Sequence, residues 1–139
     1  MTNDEQGAWD AVRRYLECYE RGDVDGCVAM LAASGPLLLF GTNDNEIFQS
    51  VAQARAAFTQ DFASMSGVRW GAARHLLVAA GSELASVVVE LPVGYASADG
   101  AVQTTFRLAL TLVRENGAWK IRAGLISVPH SSGTYTFAG

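Results

Sequence analysis

The sequence predicts an α+β fold, three N-terminal helices packed on an antiparallel sheet, and three observations predict it. Apolar residues recur at the three-and-four spacing of amphipathic helices as far as Met65. From Gly67 onward the period drops to two, the spacing of strands with one buried face. Three turn signals, Ala80-Gly81-Ser82, Asp99-Gly100 and Asn116-Gly117, then cut the remaining chain into four runs. With 139 residues, 50% of them hydrophobic, residues 1–139 are expected to form a single domain around one core.

The first helix is expected from Glu5 to Arg21, with Ala8, Trp9, Val12, Tyr15, Leu16 and Tyr19 on its buried face and Gly22 ending it. Asp23 is placed to N-cap a second, shorter helix whose stripe is Val24, Cys27, Val28 and Leu31, stopped by Ser34-Gly35-Pro36. Leu37 to Phe40 reads as a short strand, and Gly41 to Glu46, rich in Asn and Asp, as an exposed loop. Ser50 and Gln53 form a capping-box pattern that opens a third helix, with Val51, Ala54, Phe58, Phe62 and Met65 inward. The four strand runs are Val68 to Val78, Leu84 to Tyr95, Val102 to Arg114 and Trp119 to Val128. Ser131 to Gly139 reads as a loop-like tail in which Tyr135 and Phe137 are candidates to cover a pocket mouth or a partner subunit.

Two-residue turns at Asp99-Gly100 and Asn116-Gly117 fix which side chains share a face. One face collects Val87, Val89, Leu91, Val93 and Tyr95, then Phe106, Leu108, Leu110 and Leu112, then Trp119, Ile121, Ala123, Leu125 and Ser127. The other collects Glu90, Arg107, Lys120 and Arg122, interleaved with Val88, Ala109, Ile126 and Val128. The first is the core face. The second is semi-polar, as a homodimer interface is. A two-residue loop at Gly81-Ser82 turns Val68, Trp70, Ala72, Arg74, Leu76 and Val78 inward; a loop one residue longer turns His75 inward instead.

Ten Lys and Arg against fourteen Asp and Glu give a net charge of −4, with no basic stripe for nucleic acid or an anionic membrane. No apolar run approaches the roughly 20 residues of a membrane span, and the acidic N-terminus has no signal-peptide character, so a cytoplasmic protein is expected. Cys18 and Cys27 lack metal-ligand or redox-motif spacing. They read as buried thiols, with a bridge open if the first two helices bring them together. The two histidines, His75 and His130, lie far apart in the register, so no metal site is expected. Phosphate-loop, HExxH, GxSxG and CxxC motifs are absent, and no cofactor is implied.

The order of elements, together with Tyr15 to Leu31 (YLECYERGDVDGCVAML) and Trp119 to Pro129 (WKIRAGLISVP), resembles the nuclear transport factor 2-like superfamily and its SnoaL-like and ketosteroid-isomerase-like branch. The first segment is similar to the family's opening helices around Gly-Asp-x-Asp, and the second to a final strand that reads Trp-basic-Ile and ends Ser-x-Pro. The resemblance covers residues 5 to about 132. It implies a strongly curved, cystatin-like sheet wrapped around the helices as a cone with a pocket at its open end. Activities in the superfamily include isomerases, dehydratases and cyclases, beside transport factors and oligomerisation domains, so fold alone does not select one.

Tyr15 stands where the resemblance places the isomerases' oxyanion-binding tyrosine, and a phenol in an apolar pocket can stabilise an enolate. The family's base, an aspartate after the second helix, falls in Leu37 to Phe40, and its second acid falls in Ala101 to Arg114, which holds no carboxylate. The family's alternating histidines fall on Ala123 and Leu125. Ser127 keeps the terminal serine but has no adjacent base. No catalytic residue is therefore assigned.

The expected ligand-binding set is Tyr15, Phe40, Phe58, Phe62, Trp70, Arg74, Trp119, Ala123, Leu125 and Ser127, with Arg74 able to meet an anionic or enolate group. Glu90, Arg107 and Arg122 are expected as outer-face charges, and Asp61 as a solvated helix residue. Three functions follow as expectations. The first is a protein binding a small apolar or carbonyl-bearing ligand in a largely apolar pocket. The others are an isomerase, cyclase or dehydratase using acid/base or electrostatic catalysis, and an association module with a vestigial pocket.

Overall fold

The computed structural model describes residues 1–131, and the tail from 132 on, including Tyr135 and Phe137, lies outside them. Helix α1 (Asn3–Glu20) begins two residues before the expected start, because Thr2 and Glu5 form a reciprocal capping box. Gly22, at φ +68°, supplies the left-handed turn into α2 (Val24–Ala29), whose N-cap Asp23 accepts from the Gly26 amide at 2.9 Å. Strands β1 (Leu38–Phe40) and β2 (Ile47–Phe48) follow; β2 carries too short a pattern to read from sequence. Helix α3 (Val51–Ser64) is capped by Ser50, and Gln53 reaches back one residue further than a capping box does, accepting from the Gln49 amide at 2.7 Å.

The rest is strand: β3 (Met65–Trp70), β4 (His75–Ala80), β5 (Leu84–Ser97), β6 (Gly100–Glu115) and β7 (Ala118–Ser127). They form one curved, open sheet in the order β2-β1-β7-β6-β5-β3, with β4 beside β3 on the same edge of β5. The three helices pack on its inner face, so the fold is α+β as expected, with one correction: β1 joins β7 in parallel, and the sheet is mixed. Val12, Cys27, Val87, Val89, Leu108, Leu112 and Ile121 are the largest of the fully buried side chains. Among the described residues no charged side chain is fully buried, and no helix is long and apolar enough to cross a membrane.

Three details of register decide which side chains face the helices. The β5–β6 turn is made by Ala98 and Asp99, with Ser97 opposite Gly100, which moves the pairing by two residues and leaves every face unchanged. The β6–β7 turn is the expected Asn116-Gly117, both residues at positive φ (51° and 80°) as a type I′ turn requires. Beyond it the strand departs from expectation. Leu112 pairs with Ile121, but Thr111 pairs with Ala123, so Arg122 is an extra residue, a β-bulge. From there Ala123, Leu125 and Ser127 face outward opposite Thr111, Ala109 and Arg107, while Gly124 and Ile126 turn inward. Gly124 sits at φ +154°, and a Cβ there would run into the Ala109 carbonyl oxygen. Alternation alone does not reveal such an insertion.

The expected single strand Val68 to Val78 is two strands. Residues 71–74 arch over Leu91 and Pro92, four residues against two, before pairing resumes at His75 opposite Glu90. Gly71 donates to the Pro92 carbonyl at 2.7 Å; Pro92 has no N–H to return on that side, so the ladder opens there.

Candidate functional site

An internal cavity of about 220 Å³ lies between the α1 and α3 faces and the concave side of β5–β7, opening beside the 41–46 loop. Its walls are mostly apolar: Leu31, Leu39, Ala54, Val68, Leu108 and Ile126, with aromatic rings from Tyr15, Phe40, Phe48, Phe58, Tyr95 and Phe106. The α1 spacing puts Tyr15 and Tyr19 one turn apart on the same face, and α3 presents Phe58, Asp61 and Phe62 to them. The rings interlock, Tyr19 to Phe62 at 4.9 Å and Tyr15 to Phe58 at 6.1 Å.

The polar groups are few and concentrated. The Tyr19 hydroxyl donates to Asp61 Oδ2 at 3.0 Å. Burial raises the Asp61 carboxyl above the ordinary carboxylate range, reinforced by the Glu46 charge and opposed by the Tyr19 hydrogen bond. Burial likewise pushes both phenols up, with the Asp61 charge adding to the effect. Tyr15 is 8% exposed, and among the described residues its hydroxyl has no hydrogen-bond partner. Glu46 stands at the mouth, accepting from the Asn43 amide at 2.8 Å. Among the described residues no group of His, Cys, Asp and Glu is placed to hold a metal ion. Cys18 and Cys27 are free thiols, and burial drives Cys27 up to about 12.

Of the expected ligand contacts, Tyr15, Phe40 and Phe58 line the cavity. Phe62 and Trp70 stand one layer behind it. Phe62 packs on Tyr19, while Trp70 packs on Tyr19 and Phe106 and spends its indole N–H on the Leu16 carbonyl at 3.0 Å. Trp119 is buried away from the cavity, between Gly7 and the Arg114 guanidinium 4.3 Å above its ring. The bulge at Arg122 corrects the orientation of Ala123, Leu125 and Ser127. Ala123 and Ser127 leave the cavity, and Leu125 borders its edge while 44% exposed.

Arg74 is the largest correction. Because residues 71–74 leave the ladder, its guanidinium swings to the convex face, 2.8 Å from Thr105 Oγ1 and 3.4 Å from Glu90, which also pairs with Arg107 at 2.9 Å. His75, opposite Glu90, shares that face, so neither loop length puts a basic residue in the cavity. Asp61 is the opposite case. Expected as solvated, it belongs to the cavity; the available signal was its place three residues after Phe58, on the buried stripe.

The SnoaL-like domain family model matches residues 9–131, most of the chain. No functionally curated protein matches the sequence. Among solved structures, a ketosteroid isomerase-like protein from Erwinia carotovora atroseptica superposes with TM-score 0.79 at 13% identity, covering 94% of this chain and 99% of that one. A cystatin-like-fold protein of unknown function from Nostoc punctiforme gives 0.76 at 17%, covering 94% and 95%. A nuclear transport factor 2-like protein from Cytophaga hutchinsonii gives 0.75 at 17%, covering 92% and 100%. At these identities the structural likeness speaks for the fold alone. The family match, its span and the helix-filled curved sheet agree, and the chain belongs to the SnoaL-like domain family.

Proposed function

We propose that the protein binds a small, largely apolar molecule in the cavity beneath α1 and α3, with the Asp61–Tyr19 pair as its polar anchor. One observation carries this reading: a carboxyl hydrogen-bonded to a phenol inside a largely apolar, aromatic-walled space of about 220 Å³. Cavities of about 150 Å³ accept benzene, so a one-ring molecule fits. A space left open by the core also speaks against a vestigial pocket. Calorimetric titration with the one-ring probes phenol and benzyl alcohol tests the reading, beside an Ala57→Trp variant that fills the cavity. Binding to the wild type and its loss in the filled variant are expected; a wild type that takes neither probe refutes it.

A second reading, an acid/base enzyme of isomerase, cyclase or dehydratase type, is favoured by Asp61 itself. Its raised carboxyl pKa brings it nearer neutrality, where a proton carrier works best, and the Tyr15 hydroxyl is available to a developing oxyanion. The convex sheet face, with Leu77 61% and Val88 46% exposed around the Glu90, Arg74 and Arg107 cluster, supports homodimerisation there. The unbridged thiols favour a reducing, cytoplasmic setting.

A further inference from the structure

Every charge the cavity offers a ligand is negative. Asp61 lies within it and Glu46 at its mouth, and among the described lining residues there is no Lys, Arg or His. Neither carboxylate is compensated: Asp61 and Glu46 have no salt bridge among the described residues, and Arg74, the one cation expected inside, is on the other face. Hydrogen-bonding capacity points the same way. With its proton given to Asp61 Oδ2, the Tyr19 hydroxyl is left with lone pairs, and Asp61 Oδ1 has only lone pairs. Tyr15, a residue more than nine-tenths buried, carries a hydroxyl that is unpartnered among the described residues and accepts as readily as it donates. Around the Asp61–Tyr19 pair the free valences therefore favour a ligand that brings protons, while the neutral donors of the lining, the Thr42 hydroxyl and the Asn43 amide, sit on the 41–46 loop.

The remaining wall carries aromatic rings, Tyr15, Phe58, Phe106 and Tyr95 among them, whose faces attract a cation and repel an anion. A partly desolvated carboxylate without a counter-ion gains most from a cation delivered into the same largely apolar space. Resting on the cavity reading above, we propose that the ligand is an apolar primary amine bound as its ammonium ion, N–H groups on Asp61, Tyr19 and Tyr15, hydrocarbon or ring portion against the aromatic wall. A carboxylate, phosphate or enolate ligand is disfavoured by the same arrangement.

Three one-ring probes of similar size separate the possibilities at pH 7: 2-phenylethylamine, 2-phenylethanol and phenylacetate, each titrated by calorimetry and by chemical shift. The amine is expected to bind at least about tenfold tighter than the alcohol, with phenylacetate weakest. Asp61→Asn is expected to bring the amine-to-alcohol ratio close to one, and Glu46→Gln, at the mouth, to lower it partway. Alcohol binding as tight as amine binding overturns the ammonium assignment and leaves the cavity reading standing. An unchanged amine preference in Asp61→Asn also overturns it, and failure of all three probes removes the cavity reading with it. The wild-type ranking decides the matter even if Asp61→Asn folds poorly.

Discussion

Replacing Gly124 by Ala tests the bulge that turns the last strand. At φ +154° an L side chain is strained, which costs about 1–3 kcal/mol. The added methyl would also meet the Ala109 carbonyl oxygen inside contact distance, with Leu110 Cα at 3.0 Å. Both neighbours are paired backbone in the sheet interior and cannot give way as a side-chain tip would. The combined cost is expected to be about 3 kcal/mol or more, a fall in melting temperature of about 10–15 °C for a chain of this size. Gly117→Ala is the matched control. It shares the positive φ, at 80°, but a Cβ there has nothing within 4 Å, so only the backbone cost of about 1–2 kcal/mol applies. Urea unfolding followed by tryptophan fluorescence measures both variants, with midpoints compared at constant m. If Gly124→Ala loses no more than Gly117→Ala, close packing at the bulge is not what fixes the register of β7, and the reasoning fails.

Three further outcomes follow. Glu115 accepts from the Ala33 and Ser34 amides and the Ser34 hydroxyl, which hold its carboxyl down at about 2. A lowered folded-state value means stability that is complete above the ordinary 4.5 and fades as pH falls towards 2, so Glu115→Gln should flatten the acid limb of a melting-temperature profile. Asp61 has the opposite sign: its raised value favours the protonated folded state, stability rises as pH falls through that value, and Asp61→Asn should melt higher than wild type at pH 7 while losing amine preference. Tyr19→Phe removes the hydrogen bond that opposes the burial effect, so an NMR titration should find the Asp61 carboxyl higher still.

The periodicity of the sequence made most of the fold legible because burial of one face dictates it. Val87, Val89, Leu108, Leu110 and Ile121 alternate inward, and a shift of two residues at the Ala98-Asp99 turn leaves that alternation intact. What escaped were single-residue and two-residue insertions, at Arg122 and across 71–74, since each reverses or dissolves the alternation without altering composition. Arg74, Ala123 and Ser127 leave the expected inner face for that reason alone. Asp61 departs from the solvated position expected of it for another. A carboxylate beside an aromatic stripe is ordinarily solvated, and only the meeting of α3 with Tyr19, 42 residues away in sequence, takes it partly out of water.

The arch over Pro92 also bears on solubility. β3 and β4 form the outermost row of the sheet, the side on which unpaired N–H and C=O groups could recruit a strand from another molecule. Splitting that row into two pieces of 6 residues each, kinked between Gly71 and Arg74, denies an incoming chain a long straight template. The two surplus residues, opposite a Pro92 with no N–H to return, thereby keep the edge from zipping into one continuous ribbon. Pro92 is one half of that device. Deleting Ala72 and Ala73 together with Pro92→Val would remove the surplus and restore the donor that allow such a ribbon, and concentrated solutions of that variant should aggregate, as light scattering would record, under conditions where the parent chain stays clear.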